Sequence, residues 1–185
     1  MRFVGVDPDL HNLSFAVLDG DELKVYVVKH SGSKGLPAVV DILRELRKCR
    51  YLYASLTDKP YVLAVESQDS SYTGRTNAAR VQDLVTLGHI SGGVVAHLSE
   101  AQRTYLIKPQ AWKGSVPKGI HQKRILRRLG IEFVMRGGKY PYPAPRQFRQ
   151  YAGYGKVNAG DWKDINDSVG LALYARDQWE KGKGE

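Results

Sequence analysis

Residues 2–7, Arg-Phe-Val-Gly-Val-Asp, form an apolar run that stops on a carboxylate. A short run of this kind reads as a buried strand. The next two segments supply its neighbours. Asn12 to Leu18 and Leu23 to Lys29 alternate well enough for two more strands, and Asp19-Gly20-Asp21 between them carries the Asp-Gly hairpin signal. The chain is therefore expected to open as a three-stranded antiparallel meander.

The remainder alternates. Leu36 to Leu46 has apolar residues at helical spacing. Tyr61 to Val65 is a compact apolar strand that ends at Glu66. Asn77 to Leu98 reads as a long helix capped at Thr76 or Asn77, with Gly88, Gly92 and Gly93 leaving room for another backbone. Thr104 to Ile107 reads as a short strand, and Gln122 to Leu129 as a basic helix stopped by Gly130. Lys139 to Gly160 is rich in Pro, Gly and Tyr and has no period, so it reads as a loop or insertion outside the core. Asp164 to Glu180 closes the chain as an amphipathic helix. The expected fold is a single α/β domain over residues 1–185, with a mixed central sheet of antiparallel then parallel strands flanked by helices.

No apolar run approaches the roughly 20 residues that a membrane span needs. The opening MRFVGVDPDLHNL lacks an apolar signal region, and the lone Cys49 can form neither an internal disulfide nor a cysteine-rich metal site. A reducing, cytoplasmic setting is the expectation.

The charge is concentrated. Lys and Arg total 28 against 19 acids, a net charge of +9. From Trp112 to Gly160 there are eleven basic residues and one acid, Glu132, so this stretch carries the whole excess. It also carries seven aromatics, among them Trp112, Phe133, Tyr140 and Tyr142. Cations that follow phosphates, interleaved with rings that stack on bases, point to a nucleic-acid surface.

Into this basic chain are set acids at structured positions. Asp7 ends the first strand and Glu66 the fourth. Asp164 and Asp167, at i and i+3, share one face of the last helix. Each alone is explained by a turn, a strand end or a helix cap. Converging together, they need cations between them, and hard oxygen ligands suit Mg²⁺ or Mn²⁺. Two such ions about 3.5–4 Å apart support phosphodiester hydrolysis.

The ordered set VGVDP, LAVE and DINDS resembles the RuvC family of Holliday junction resolvases, within the RNase H-like superfamily. The resemblance spans nearly the whole chain. IKPQAWKGSVPKG is similar to the stretch that precedes the family's basic helix, where lysines face the scissile phosphate, and places Lys113 and Lys118 there. The chain departs from the family in having Asp9 where Gly is usual. Its basic insertion, Lys139 to Gly160, is also longer than expected before the last helix, which points to a subgroup, with small phage-encoded members, acting in the host cytoplasm, as the candidate home. The resemblance implies a homodimeric Mg²⁺-dependent endonuclease that nicks symmetric strands of a four-way DNA junction, with two ions held by Asp7, Glu66, Asp164 and Asp167. Lys118 would stabilise charge at the phosphate. Lys113, Lys123, Arg124, Arg127, Arg128 and Arg75 would contact DNA, and Tyr72 is the candidate for the aromatic wedge at the junction centre. The long helix from Asn77 is the expected dimer surface.

Other classes fit less well. A sugar-kinase or actin-like ATPase needs a D-x-G-x-[ST] phosphate loop, and DPDLHNL lacks both the Gly and the following hydroxyl. A non-catalytic DNA-binding module would set four acids against a phosphate backbone. Another RNase H-like nuclease, cutting hybrids or other branched DNA, is discriminated poorly by sequence.

Overall fold

The structure is a computed structural model; it describes residues 1–29, 35–67, 78–136, 140–143, 157 and 159–182, with side chains at all of these except 78–80, 136 and 159. Five strands form the main sheet: β1 (Arg2–Pro8), β2 (Asn12–Asp19), β3 (Glu22–Lys29), β4 (Tyr61–Glu66) and β5 (Arg103–Ile107), in the order β3-β2-β1-β4-β5. β1 runs antiparallel to β2, which runs antiparallel to β3, while β1, β4 and β5 are parallel. The expected meander and mixed sheet are both present. Gly20 makes the hairpin turn at φ +62°, a region that favours glycine.

Alternation of side chains across the sheet divides the core in two. Val4, Val6, Leu13, Phe15 and Leu63 face α1 (Leu36–Lys48) and α3 (Ala78–His97), meeting Ile42, Leu46, Ile90 and Val94. Phe3, Ala16, Val27, Val62 and Ala64 face α6 (Trp162–Lys181), meeting Ile165, Val169 and Ala172. Gly5 lies under α6. A Cβ there would stand 1.9 Å from the Ser168 carbonyl oxygen and 2.4 Å from the Ala172 nitrogen, so α6 rests directly on the β1 backbone.

Several expectations are corrected. The basic helix α5 (Lys118–Arg128) starts four residues before Gln122, immediately after Pro117. Short helices α2 (Arg50–Ala54) and α4 (Pro109–Lys113) were not anticipated. Lys139 to Gly160 is not wholly a loop outside the core. Tyr140–Pro143 is strand β7, paired antiparallel with β6 (Phe133–Arg136), and Tyr142 packs onto the α6 side of the core. A 3-10 turn at Ala159–Asp161 leads into α6. Residues 144–156 lie outside the described set, as do the proposed caps Thr76 and Asn77. α6 is amphipathic only toward its end. From Trp162 to Ala175 nearly every side chain is buried, because the sheet, α5 and β7 surround it. Of the glycines in α3, Gly93 serves an internal contact: a Cβ there would meet Leu43 of α1 at 2.5 Å. Gly88 and Gly92 face open space.

Candidate active site

β1 and β4 are parallel neighbours with Val6 opposite Val65, so Asp7 and Glu66 leave the sheet side by side at the same end. Both lie on the α6 face, two residues beyond Gly5 and Ala64 respectively. The first turns of α6 bring Asp164 and Asp167 over that end. All four carboxylates are buried, with exposures of 7% for Asp7, 4% for Glu66, 5% for Asp164 and 1% for Asp167. Buried acids this close are costly unless cations intervene. Burial first, then the charges of Asp167 and Glu66, hold the Asp7 carboxyl well above the usual carboxylate range, against the pull of Lys113 and Lys118. Asp164 is likewise pushed up to about 6 by burial, opposed by Lys118 and Lys163.

Two lysines from the α4–α5 corner supply the counter-charge. Lys113 Nζ lies 2.8 Å from Glu66 Oε2 and 3.0 Å from Asp167 Oδ2. Lys118 Nζ lies 2.7 Å from Asp167 Oδ2 and 3.7 Å from Asp164 Oδ1. Burial works against both ammonium charges, but the neighbouring carboxylates, Asp167 foremost, more than offset it, and both lysines stay protonated well beyond neutral pH. Gly114, at φ +60°, ends α4 and turns the chain between them.

Two further residues hold the acids in place, and their roles are not visible from sequence spacing. The Trp112 indole Nε1 donates to Glu66 Oε2 at 3.1 Å. Gln122 Nε2 donates to Asp167 Oδ1 at 2.8 Å and to the Lys163 carbonyl at 2.6 Å. A signal for Gln122 does exist: it is the one polar residue in the buried row Gln122, Ile125, Leu126 of α5. Trp112 also packs edge-on against His121, with ring centroids 4.9 Å apart. Burial, partly offset by Asp167, lowers the pKa of His121, so its imidazole is neutral at pH 7.

Asp9 closes the loop after β1 without a left-handed residue; among the described residues only glycines have positive φ. Its N–H donates to the Asn12 carbonyl at 2.9 Å, and its Oδ1 accepts the His11 N–H at 3.1 Å. This Asx-type turn replaces the glycine turn. Lys123, Arg124, Arg127 and Arg128 line α5 away from its buried row, Arg128 forming a double ion pair with Asp177 of α6. Tyr72 and Arg75 lie outside the described residues.

Among the described residues, no three His, Cys, Asp or Glu side chains form a ready metal cage. The ammonium groups of Lys113 and Lys118 are drawn in among the carboxylates instead. The donor set still fits a hard divalent cation. It is all oxygen, it is rigidly mounted on two strand ends and a helix, and it includes an Asp7 whose charge wants compensation.

The strand order and the helix seated on β1 are those of an RNase H-like fold. Within that class the chain has the RuvC fold. It matches T. thermophilus RuvC, in a complex with a Holliday junction substrate, with TM-score 0.55 and 18% identity over 96% of both chains. It also matches the yeast mitochondrial Holliday junction resolvase Ydc2, with TM-score 0.48 and 11% identity over 96% of this chain and 81% of that one. No protein-family model matches the chain, and no curated protein matches it in sequence. No helix among the described residues is long and apolar enough to cross a membrane.

Proposed function

We propose that the chain is a metal-dependent endonuclease that resolves four-way DNA junctions by paired nicks. The observation that carries this reading is the convergence of four buried carboxylates with two lysines beside the cationic helix α5. Asp7, Glu66, Asp164 and Asp167 would hold Mg²⁺ or Mn²⁺, two ions to a site. The chemistry supplied by such ions is activation of a water and stabilisation of the leaving oxygen. The protein's own part is positional. Trp112 fixes one Glu66 oxygen and Gln122 fixes one Asp167 oxygen. Lys113 and Lys118 balance the acids in the resting site, and would be released to face the phosphate if the acids held metal instead. The exposed Arg124 and Arg127 then follow the backbone of an arm.

A two-fold junction suits a two-fold dimer. The exposed row Val81, Val85, Gly88 and Gly92 on α3, beside exposed Leu36 and Val40 of α1, is the surface proposed to join two copies. A molar mass measured by light scattering that stays at one chain would reject this.

The deciding experiment is cleavage of a synthetic four-way junction beside duplex, single-stranded and RNA–DNA hybrid controls in Mg²⁺. Paired nicks on the junction alone support the reading, and cutting of the hybrid alone replaces it with another RNase H-like activity. Ca²⁺, larger and looser in geometry, is expected to support binding without nicking.

Residues 144–156 add Arg146, Arg149 and Lys156 and no acid. Deleting them, while keeping β7, is expected to lower the slope of log affinity against log salt by about 2–3, as for three lost phosphate contacts. An unchanged slope with a large fall in Tm would make the segment structural instead.

A further inference from the structure

Beside the carboxylates, α4, α5 and α6 enclose a cleft of about 340 Å³. That volume lies in the range of small-molecule sites, roughly 300–1,000 Å³. Its lining includes Trp112, His121, Arg124, Ile125, Leu173 and Tyr174. Arg128 and Lys113 border it as well, but Arg128 is paired with Asp177 and Lys113 with Glu66 and Asp167, which leaves Arg124 as the further cation at its edge. The walls are thus aromatic and aliphatic, with a guanidinium alongside.

One atom argues against a purely apolar occupant. His121 Nε2 is buried and has no hydrogen-bond partner among the described residues. An apolar ligand would leave it unsatisfied, whereas the edge of a heteroaromatic base carries both donors and acceptors. A flat base also stacks on tryptophan and tyrosine rings, and its phosphate suits arginine.

We propose that this cleft is a nucleotide subsite. The base lies against Trp112 and Tyr174, its polar edge meets His121 Nε2, and its phosphate rests on Arg124. The subsite communicates with the catalytic acids through one side chain. Trp112 presents its ring to the cleft while its indole N–H holds Glu66. The ring cannot retreat into α6: it lies over Gly170, where a Cβ would come within 2.3 Å of it. Lys113 Nζ lies 4.5 Å from the ring centroid; with Lys113 drawn to the phosphate, a base in the cleft takes its place against the indole and holds Glu66 in register. The same chemistry has two sources, a base of the bound strand near the cut and a free mononucleotide. Only the first rests on the junction-nuclease reading.

The test has two arms. In the first, junctions carrying one abasic nucleotide at successive positions around the scissile phosphate are bound in Ca²⁺, so that cutting does not interfere. At one position, loss of the base is expected to weaken binding to the wild-type protein by about tenfold, as for one lost base–aromatic stack. The same loss should have no further effect on Tyr174→Ala, or on Tyr174→Leu should the first variant melt early. In the second arm, deoxynucleoside 5′-monophosphates are titrated into ¹⁵N-labelled protein, and the Trp112 indole N–H resonance is followed. A shift there without an abasic effect assigns the cleft to free nucleotide. Failure of the intact junction to bind, with the resonance still moving, rejects the junction reading and keeps the subsite. Equal binding at every abasic position together with a stationary indole resonance overturns the subsite.

Discussion

Asp7→Asn is expected to reduce junction nicking by about a thousandfold or more while leaving junction affinity within about threefold. The two effects separate because they have different sources. On the proposed reading affinity comes from exposed cations such as Arg124 and Arg127, which the substitution does not touch. Nicking needs the full carboxylate set, and asparagine supplies a neutral oxygen where an anion is required. The substitution also makes an unusual stability prediction. The Asp7 carboxyl is held far above its ordinary value of 3.8 by burial and by Asp167 and Glu66. For an acid raised in the folded state, the stabilising contribution is complete below the unfolded value and is lost as pH rises through the folded one. The metal-free wild-type protein should therefore lose stability as pH rises from about 4. Asp164, raised to about 6, adds to this loss with the same sign. Asp7→Asn removes the Asp7 part of the slope, so its Tm near pH 7.5 should exceed that of the metal-free wild type. Added Mg²⁺ should raise the wild-type Tm and leave that of the variant nearly unmoved. Nicking close to the wild-type rate, or a variant that melts lower across the whole pH range, would remove Asp7 from the centre of the site.

The acids themselves were legible because each sits where a local pattern breaks. Asp7 and Glu66 end apolar runs, and Asp164 and Asp167 repeat at the spacing of one helix face. The opening meander was legible for a similar reason, since alternation and an Asp-Gly turn are local signals. What stayed hidden depends on distant partners or on residues that offend local rules. Trp112 and Gln122 reach acids 46 and 45 positions away, and no spacing encodes that. The start of α5 was obscured by Gly119, a poor helix former just inside the first turn. β7 reads Tyr-Pro-Tyr-Pro, and proline cannot donate to a ladder. Its two-stranded pairing with β6 tolerates this, and its carbonyls find other use: Asn166 Nδ2 of α6 donates to the Pro141 carbonyl at 3.0 Å. The expected loop therefore begins as a strand that props the helix carrying the acids.

Gly5→Ala is expected to be the most damaging single methyl group in the chain. Gly5 sits at the middle of β1, the central strand, with α6 pressed on its backbone. The added carbon would stand 1.9 Å from the Ser168 carbonyl oxygen and 2.4 Å from the Ala172 nitrogen. Both obstacles are helix backbone, so no rotamer change relieves them and the whole of α6 must lift. The cost should be about 3 kcal/mol or more, a fall in Tm of roughly 6–12 °C for a chain of this size. Function should suffer beyond stability. α6 carries Asp164 and Asp167 while β1 carries Asp7, so lifting one from the other widens the site. A misplacement of about 1 Å at reacting groups costs on the order of a hundredfold. Nicking by the folded fraction should fall by about that much even at temperatures well below its Tm. Gly20→Ala serves as the control: its φ of +62° makes the residue strained, but nothing lies within 4 Å of the new carbon. It should cost only about 1 kcal/mol and leave nicking unchanged. Equal melting losses in the two variants, or full activity in folded Gly5→Ala, would show that α6 can yield without disturbing the acids, and that the direct seat of helix on strand is not what sets the site.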